Sequence, residues 1–234
     1  MRSIYTLFLC FFIGSLIKTN SSSGVVVALS SSSEHLPTEC HLQPTTVPPL
    51  LDVPTYSLAT YCHKNGGQTG MNILTYASPI SIRPDRIWAL GLYKGTWTHE
   101  QFVSSGEGVL QLLAPKHATL VKVLGGSSTR DVNKQEKCAG LGMPWIPFSA
   151  ETNNDEEESS SIQVLPGCVH YLKVRLVGDL IDCGSHDLAM CKVESMSVPS
   201  GDVGGGDDDT KQALMTSQLR EMGIITAQGR VAED

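Results

Sequence analysis

The sequence predicts a mainly β protein, an antiparallel β-barrel decorated with short helices. Three observations carry this. Several runs of strand length alternate apolar and polar residues and are separated by turn signals. The helical patterns are short and fall between strands, without a strand–helix–strand rhythm. No GxGxxG follows a strand, which argues against a doubly wound dinucleotide-binding domain.

Residues 34–54 are rich in proline and threonine and read as an extended lead-in lying on the domain. Residues 56–62 (YSLATYC) alternate faces as a first strand. Asn65-Gly66 is the strongest short hairpin signal, and residues 71–78 form the return strand. After the turn Arg83-Pro84-Asp85, residues 86–92 are nearly continuous in apolar character and read as a central strand. Thr98, with Gln101 three residues on, fits a capping box that opens a short helix ending near Gly106.

Residues 109–113 form the next strand. Pro115 suits a first helical position, Leu120, Val121 and Leu124 recur at helical spacing, and Gly125-Gly126 ends that helix. A second short helix is expected over residues 127–137, capped by Ser128 or Thr129. Residues 138–148 are irregular. Residues 150–161 are acidic and read as a solvated loop, not a metal site. Residues 162–165 form a short strand, and residues 169–183 a long one bent near Gly178. Gly184-Ser185 turns the chain, and residues 186–195 pair back. A flexible acidic loop (199–209), a helix (210–219) and an extended tail (223–232) complete the chain.

The chain has 234 residues, 41% of them hydrophobic and 18% charged, which fits one globular domain with appendages. A net charge of −7 without a dense Lys/Arg stripe argues against nucleic acid as a partner. Residues 4–17 are almost wholly apolar and follow a positive start. They match a signal h-region and fall short of the ~20 residues a spanning helix needs. With the serine-rich flank, residues 1–33 read as a targeting segment into the secretory pathway or an organelle such as the plastid, with no membrane contact after its removal. The expected division is targeting segment (1–33), lead-in (34–54), barrel domain (55–198), and acidic loop with C-terminal helix and tail (199–234). None of the seven cysteines forms a CxxC. The six beyond the signal read as scattered buried thiols, or as a disulfide set if the protein is secreted.

Neither GxSxG nor HExxH occurs, and the seven histidines do not cluster at metal spacing. Three features remain. From Gly66 to Ile82 no residue is charged, yet Asn72, Thr75, Tyr76, Ser78 and Ser81 lie among β-formers. That suits either a strand and loop offering donors to a polar ligand or an ordinary Ser/Thr-rich strand. The loop with Lys94, Thr96 and Thr98 runs into a helix start, the shape of a phosphate site. The alternative is a simple cap beside a solvated lysine. His186 follows a tight turn, either as a site residue or as a strand-end histidine satisfied by backbone.

In order, Gly70-Met71-Asn72 through Ser81 and Pro84, Lys94 through Glu100, Ser127 through Lys134, and Gly184-Ser185-His186-Asp187 resemble the flavin reductase-like family, the FMN-binding split barrels. The family patterns are G-M-T-x5-S-x-S-x-x-P-P, a T-x-E helix start, S-G-R-D-x-x-K and a G-D-H turn. The resemblance spans residues 56–195. It implies an antiparallel split β-barrel of the FMN-binding type, a homodimer, FMN as cofactor and NAD(P)H as a possible electron donor. By this resemblance Asn72, Thr75, Tyr76, Ala77 and Ser78 would line the isoalloxazine and ribityl chain. Lys94, Thr96 and Thr98 would hold the phosphate, and catalytic His186 would stand at the flavin edge. The chain departs from the pattern at one extra residue before Pro84, at Ser-Ser-Thr before Arg130, and at Ser185 where an aspartate usually precedes the histidine. The implied function is an NAD(P)H-dependent flavin reductase. The alternatives are a non-catalytic flavin- or heme-binding barrel, a pyridoxamine-phosphate oxidase-like enzyme, or a cofactor-free extracellular barrel.

Overall fold

Strand β1 (Tyr56–Thr60) is buried at all five positions because each of its faces meets a different core. Tyr56 and Leu58 point to a cluster with Leu90, Leu92, Leu110, Leu172, Val174 and Ala189. Ala59 belongs to a second cluster on the opposite face. A period of two residues per strand repeat makes that partition automatic. The computed structural model describes residues 43–47, 49–61, 67–149, 162–199 and 212–232, and all that follows concerns the unit beginning at Val47. Residues 1–33, Asn65-Gly66, the 150–161 loop and nearly all of the 199–209 loop lie outside the described residues.

The main sheet runs β2-β1-β5-β8-β10-β4-β3, with every neighbour antiparallel and β9 pairing additionally with β10. The strands are β2 (Gly70–Leu74), β3 (Ala77–Ser81), β4 (Ile87–Tyr93), β5 (Glu107–Leu112), β8 (His170–Leu176), β9 (Ile181–Cys183) and β10 (His186–Ser197). A separate pair joins β6 (Ile146–Pro147) to β7 (Gln163–Val164).

β2 and β3 occupy the two ends of this order, yet only Thr75 and Tyr76 separate them in sequence. Three Cα steps span roughly 11 Å at most. Seven flat strands would set the outer two roughly 29 Å apart. The sheet must therefore curl until its ends approach, which makes it a half-barrel closed at one corner. The predicted single strand over residues 71–78 is thus two strands with a break at Thr75-Tyr76. Local sequence does not mark the break; closure imposes it. β3 carries Pro79 and lies on an edge, where proline is tolerated.

Helices pack against both clusters. α1 (Trp97–Ser105) packs on β1 and β2 and sends Phe102 into the barrel cluster. α2 (Leu120–Gly126), α3 (Lys134–Gly140) and α4 (Thr216–Glu221) bury Leu120, Val121, Leu124, Cys138 and Leu219 against the outer face of the sheet. The cap of α1 is Thr96 and not Thr98: Thr96 Oγ1 accepts the His99 N–H at 3.2 Å, and left-handed Gly106 ends the helix. α3 starts later than expected because Asn133, not Ser128 or Thr129, caps it through the Glu136 N–H. The predicted 169–183 strand is divided into β8 and β9, with Gly178 at φ 72° between them. α4 likewise begins six residues late. Its first turn is tied to the lead-in, since Asp52 accepts from Ser217 and Thr216 N donates to Val53 O.

Candidate functional site

Tyr76, at the closing corner, crosses directly over β4. Its carbonyl accepts the Gly91 N–H at 2.8 Å, and a Cβ placed on Gly91 would stand 2.9 Å from the Tyr76 Cβ. Only glycine lets the crossover lie this close to the sheet. Beside the crossing opens a cavity of about 490 Å³, walled by Asn72 to Tyr76, Gly91 to Tyr93, Thr96, Thr98, His99, Ser185 and His186. A second cavity, about 810 Å³, shares Asn72, Thr75, Tyr93, Thr96 and Thr98 with it. The shared wall makes them one groove. Its far part is lined by Trp97, Ser127, Ser128, Thr129 and Lys134.

The N-terminus of α1 faces both parts. Its first backbone N–H groups have no intrahelical acceptor, and the helix dipole is positive there. Two buried polar atoms of the far wall, Trp97 Nε1 and Thr129 Oγ1, have no hydrogen-bond partner among the described residues. Each such atom costs about 1–3 kcal/mol until something pairs with it.

Lys134 is the most deeply buried cation of the wall, 3% exposed. Its ammonium donates to Met71 O at 3.0 Å and Leu124 O at 2.6 Å, so it joins β2 to the C-terminal end of α2. Burial without a facing carboxylate lowers its pKa to about 8.

A charged network fixes the rim. Lys94 Nζ lies 2.9 Å from Asp182 and 3.2 Å from Asp187, and His99 Nε2 lies 2.8 Å from the other Asp187 oxygen. Lys94 N also donates to Ser185 O. The β4–α1 loop is thereby locked to the turn that carries His186. Burial works to raise the Asp187 pKa, but hydrogen bonds from His99 and Lys94 outweigh it and hold the carboxyl below its usual range. Asp182 is lowered by its bond to Lys94, and Lys94 is raised in return. The His186 ring sits between Tyr76 and Tyr93, each edge-on at 5.2 Å between centroids. Its Nδ1 lies 3.0 Å from Ser185 Oγ.

The fold therefore brings together Asn72, Thr75, Tyr76, Thr96, Thr98 and His186 of the sequence-expected set. Ala77 and Ser78 lie further along β3, outside both cavity walls, with Ser78 exposed. Lys94 also lies outside the walls, its charge shared between two carboxylates. Sequence reasoning missed Lys134, His99, Tyr93 and Arg230 as wall residues. Lys134 stood within a recognised segment, but nothing local marks a lysine for burial.

A closed-corner antiparallel half-barrel with a polar groove at the corner is the architecture of flavin-binding split barrels. The Flavin reductase like domain model matches residues 53–215, and the chain belongs to that family. Among solved structures it resembles flavoredoxin from Methanosarcina acetivorans, at 14% identity, over 76% of this chain and 86% of that one, with a TM-score of 0.57. The FMN-binding protein of Thermus thermophilus with bound p-hydroxybenzaldehyde gives 13% identity, 69% and 83% coverage and a TM-score of 0.54. The NADH:FAD oxidoreductase of Streptomyces globisporus C-1027 gives 11%, 63% and 76%, and 0.50. No curated protein sequence matches the chain.

Proposed function

We propose that the groove binds FMN and that the protein passes electrons from NAD(P)H to it, as a flavin reductase. The observation that carries this reading is the groove itself. It is large enough for a mononucleotide and is lined by aromatic and aliphatic residues together with hydroxyls and lysines. The hydroxyls of Ser127 and Ser128 and the N-terminus of α1 suit a phosphate ester, which accepts from such donors. Asn72, Thr75 and Tyr76 would line the ring and ribityl chain, and Thr96 and Thr98 the phosphate end at the helix N-terminus. Lys94 would act through the rim, by holding the His186 turn in place.

Bound FMN would supply the two-electron chemistry by accepting hydride from NAD(P)H. The protein's part is to bind, orient and exclude water. His186, fixed between two tyrosine rings at the rim, would orient the donor there. The reading includes a homodimer, for which edge strand β3 offers exposed Ile80 and, just past it, Ile82.

The test is anaerobic addition of NADH or NADPH to the FMN-loaded protein. Bleaching of the visible flavin band faster than for free FMN is expected, and His186→Ala should slow it more than it weakens FMN binding. An FMN-loaded protein that neither nucleotide bleaches would instead be a non-catalytic flavin-binding barrel.

A further inference from the structure

The last described segment returns to the groove. Ile225 pairs with Val231 across a tight loop in which Thr226 N donates to Arg230 O at 2.7 Å and Gly229 N to Thr226 O at 2.9 Å. Gly229 holds φ 78° there. The loop is seated by Val231, whose two methyls would lie 3.1 and 3.2 Å from Cβ atoms built on Gly125 and Gly126. The Gly-Gly end of α2 is thus a notch that any larger residue would fill. Ile224 and Ile225 anchor the other strand in the outer core. This hairpin lies beyond residue 215, where the family match ends.

Seated so, the hairpin places Arg230 in the wall of both cavities, which Thr96 and Thr98 also line. The other cations near the groove have partners, Lys122 of the larger cavity's wall among them. Lys94 is held by Asp182 and Asp187, Arg130 by Glu100, and Lys134 donates to two backbone carbonyls. Arg230 makes no ion pair with any described residue, is exposed, and lines both cavities. In a chain of net charge −7, an uncommitted guanidinium at the junction of two cavities is placed for an anion. Trp97 and Thr129, whose buried Nε1 and Oγ1 have no partner among the described residues, line the larger of the two cavities.

We propose that the C-terminal hairpin is part of the cofactor site and that Arg230 binds the terminal phosphate of the flavin, selecting the phosphorylated form over riboflavin. This rests on the flavin reading above. It adds a phosphate ligand from a segment that the family match does not cover. A guanidinium matches a phosphate with two parallel N–H donors, whereas riboflavin ends in a neutral hydroxyl.

The experiment is fluorescence titration of the wild type, Arg230→Gln and Arg230→Lys with FMN and with riboflavin, with thermal unfolding of each unliganded protein as a control. Arg230→Gln should weaken FMN about ten- to a hundredfold and leave riboflavin unchanged. Arg230→Lys should recover part of the loss, and unfolding should not move. Equal loss for both flavins, or loss only with an unfolding shift, would make Arg230 a support of the hairpin and overturn the proposal. So would an FMN affinity untouched by Arg230→Gln. A wild type that binds neither flavin overturns the flavin reading and this assignment with it.

Discussion

Gly91→Ala tests the geometry of the closing corner. The added Cβ would meet the Tyr76 Cβ at 2.9 Å, where carbon atoms prefer about 3.5–4.0 Å. One of them must move by roughly 0.6–1.1 Å. Tyr76 cannot yield freely, because its carbonyl accepts the Gly91 N–H at 2.8 Å and Ala77 pairs with Leu90 in the next register position. The clash therefore falls on the Thr75-Tyr76 crossover that joins the two sheet edges. Overpacking of this kind costs about 1–3 kcal/mol. For a domain of this size that corresponds to a melting temperature lower by roughly 2–10 °C. Because the same crossover walls the smaller cavity, FMN affinity should fall as well. Gly140→Ala is the control: a Cβ there meets nothing within 4 Å at the end of α3. The assay is thermal unfolding with and without FMN. A Gly91→Ala protein that melts and binds like wild type would refute the crossing argument.

The cap assignment predicts that Thr96→Ala lowers stability by about 1 kcal/mol and also weakens FMN. Thr98→Ala, which leaves the cap intact, should lower stability less in denaturant titrations. Lys134 gives a pH signature. Its folded pKa is about 8, against about 10.4 when unfolded, so between these values the unfolded chain binds more protons and stability rises with pH. Relative to Lys134→Met, the wild type should gain about 3 kcal/mol from pH 7 to 10.5, and a flat difference would contradict the burial account. Buried Cys191, raised to about 12 by desolvation, should resist thiol reagents at pH 8, while exposed Cys183 reacts, as peptide mapping would show.

Strands whose pattern is set by the sheet itself were legible. β1 and β10 alternate, β4 is nearly continuous in apolar character, and left-handed Gly106 and Gly184 fall at the expected helix end and turn. The break at Thr75-Tyr76 was not legible, since residues 71–78 carry no charge, glycine or proline; only closure of the seven-strand order requires it. The α1 cap was ambiguous because Thr96 and Thr98 both precede the helix pattern, and the phase is fixed by Thr96 Oγ1 donating back to Tyr93 O. Of the site, the hydroxyl-bearing crossover and the His186 turn were readable as local motifs. Lys94 reads as an uncommitted cation because Asp182 and Asp187 lie 88 and 93 residues on. Arg230 lay in a tail without periodicity, and nothing local announces that its hairpin returns to the barrel.

The most direct measurement is the visible absorbance and flavin fluorescence of the purified protein titrated with FMN. Saturable quenching at one FMN per chain is expected, with a flavin spectrum that stays with the protein through gel filtration. A colourless protein that leaves FMN fluorescence unchanged would contradict the flavin reading.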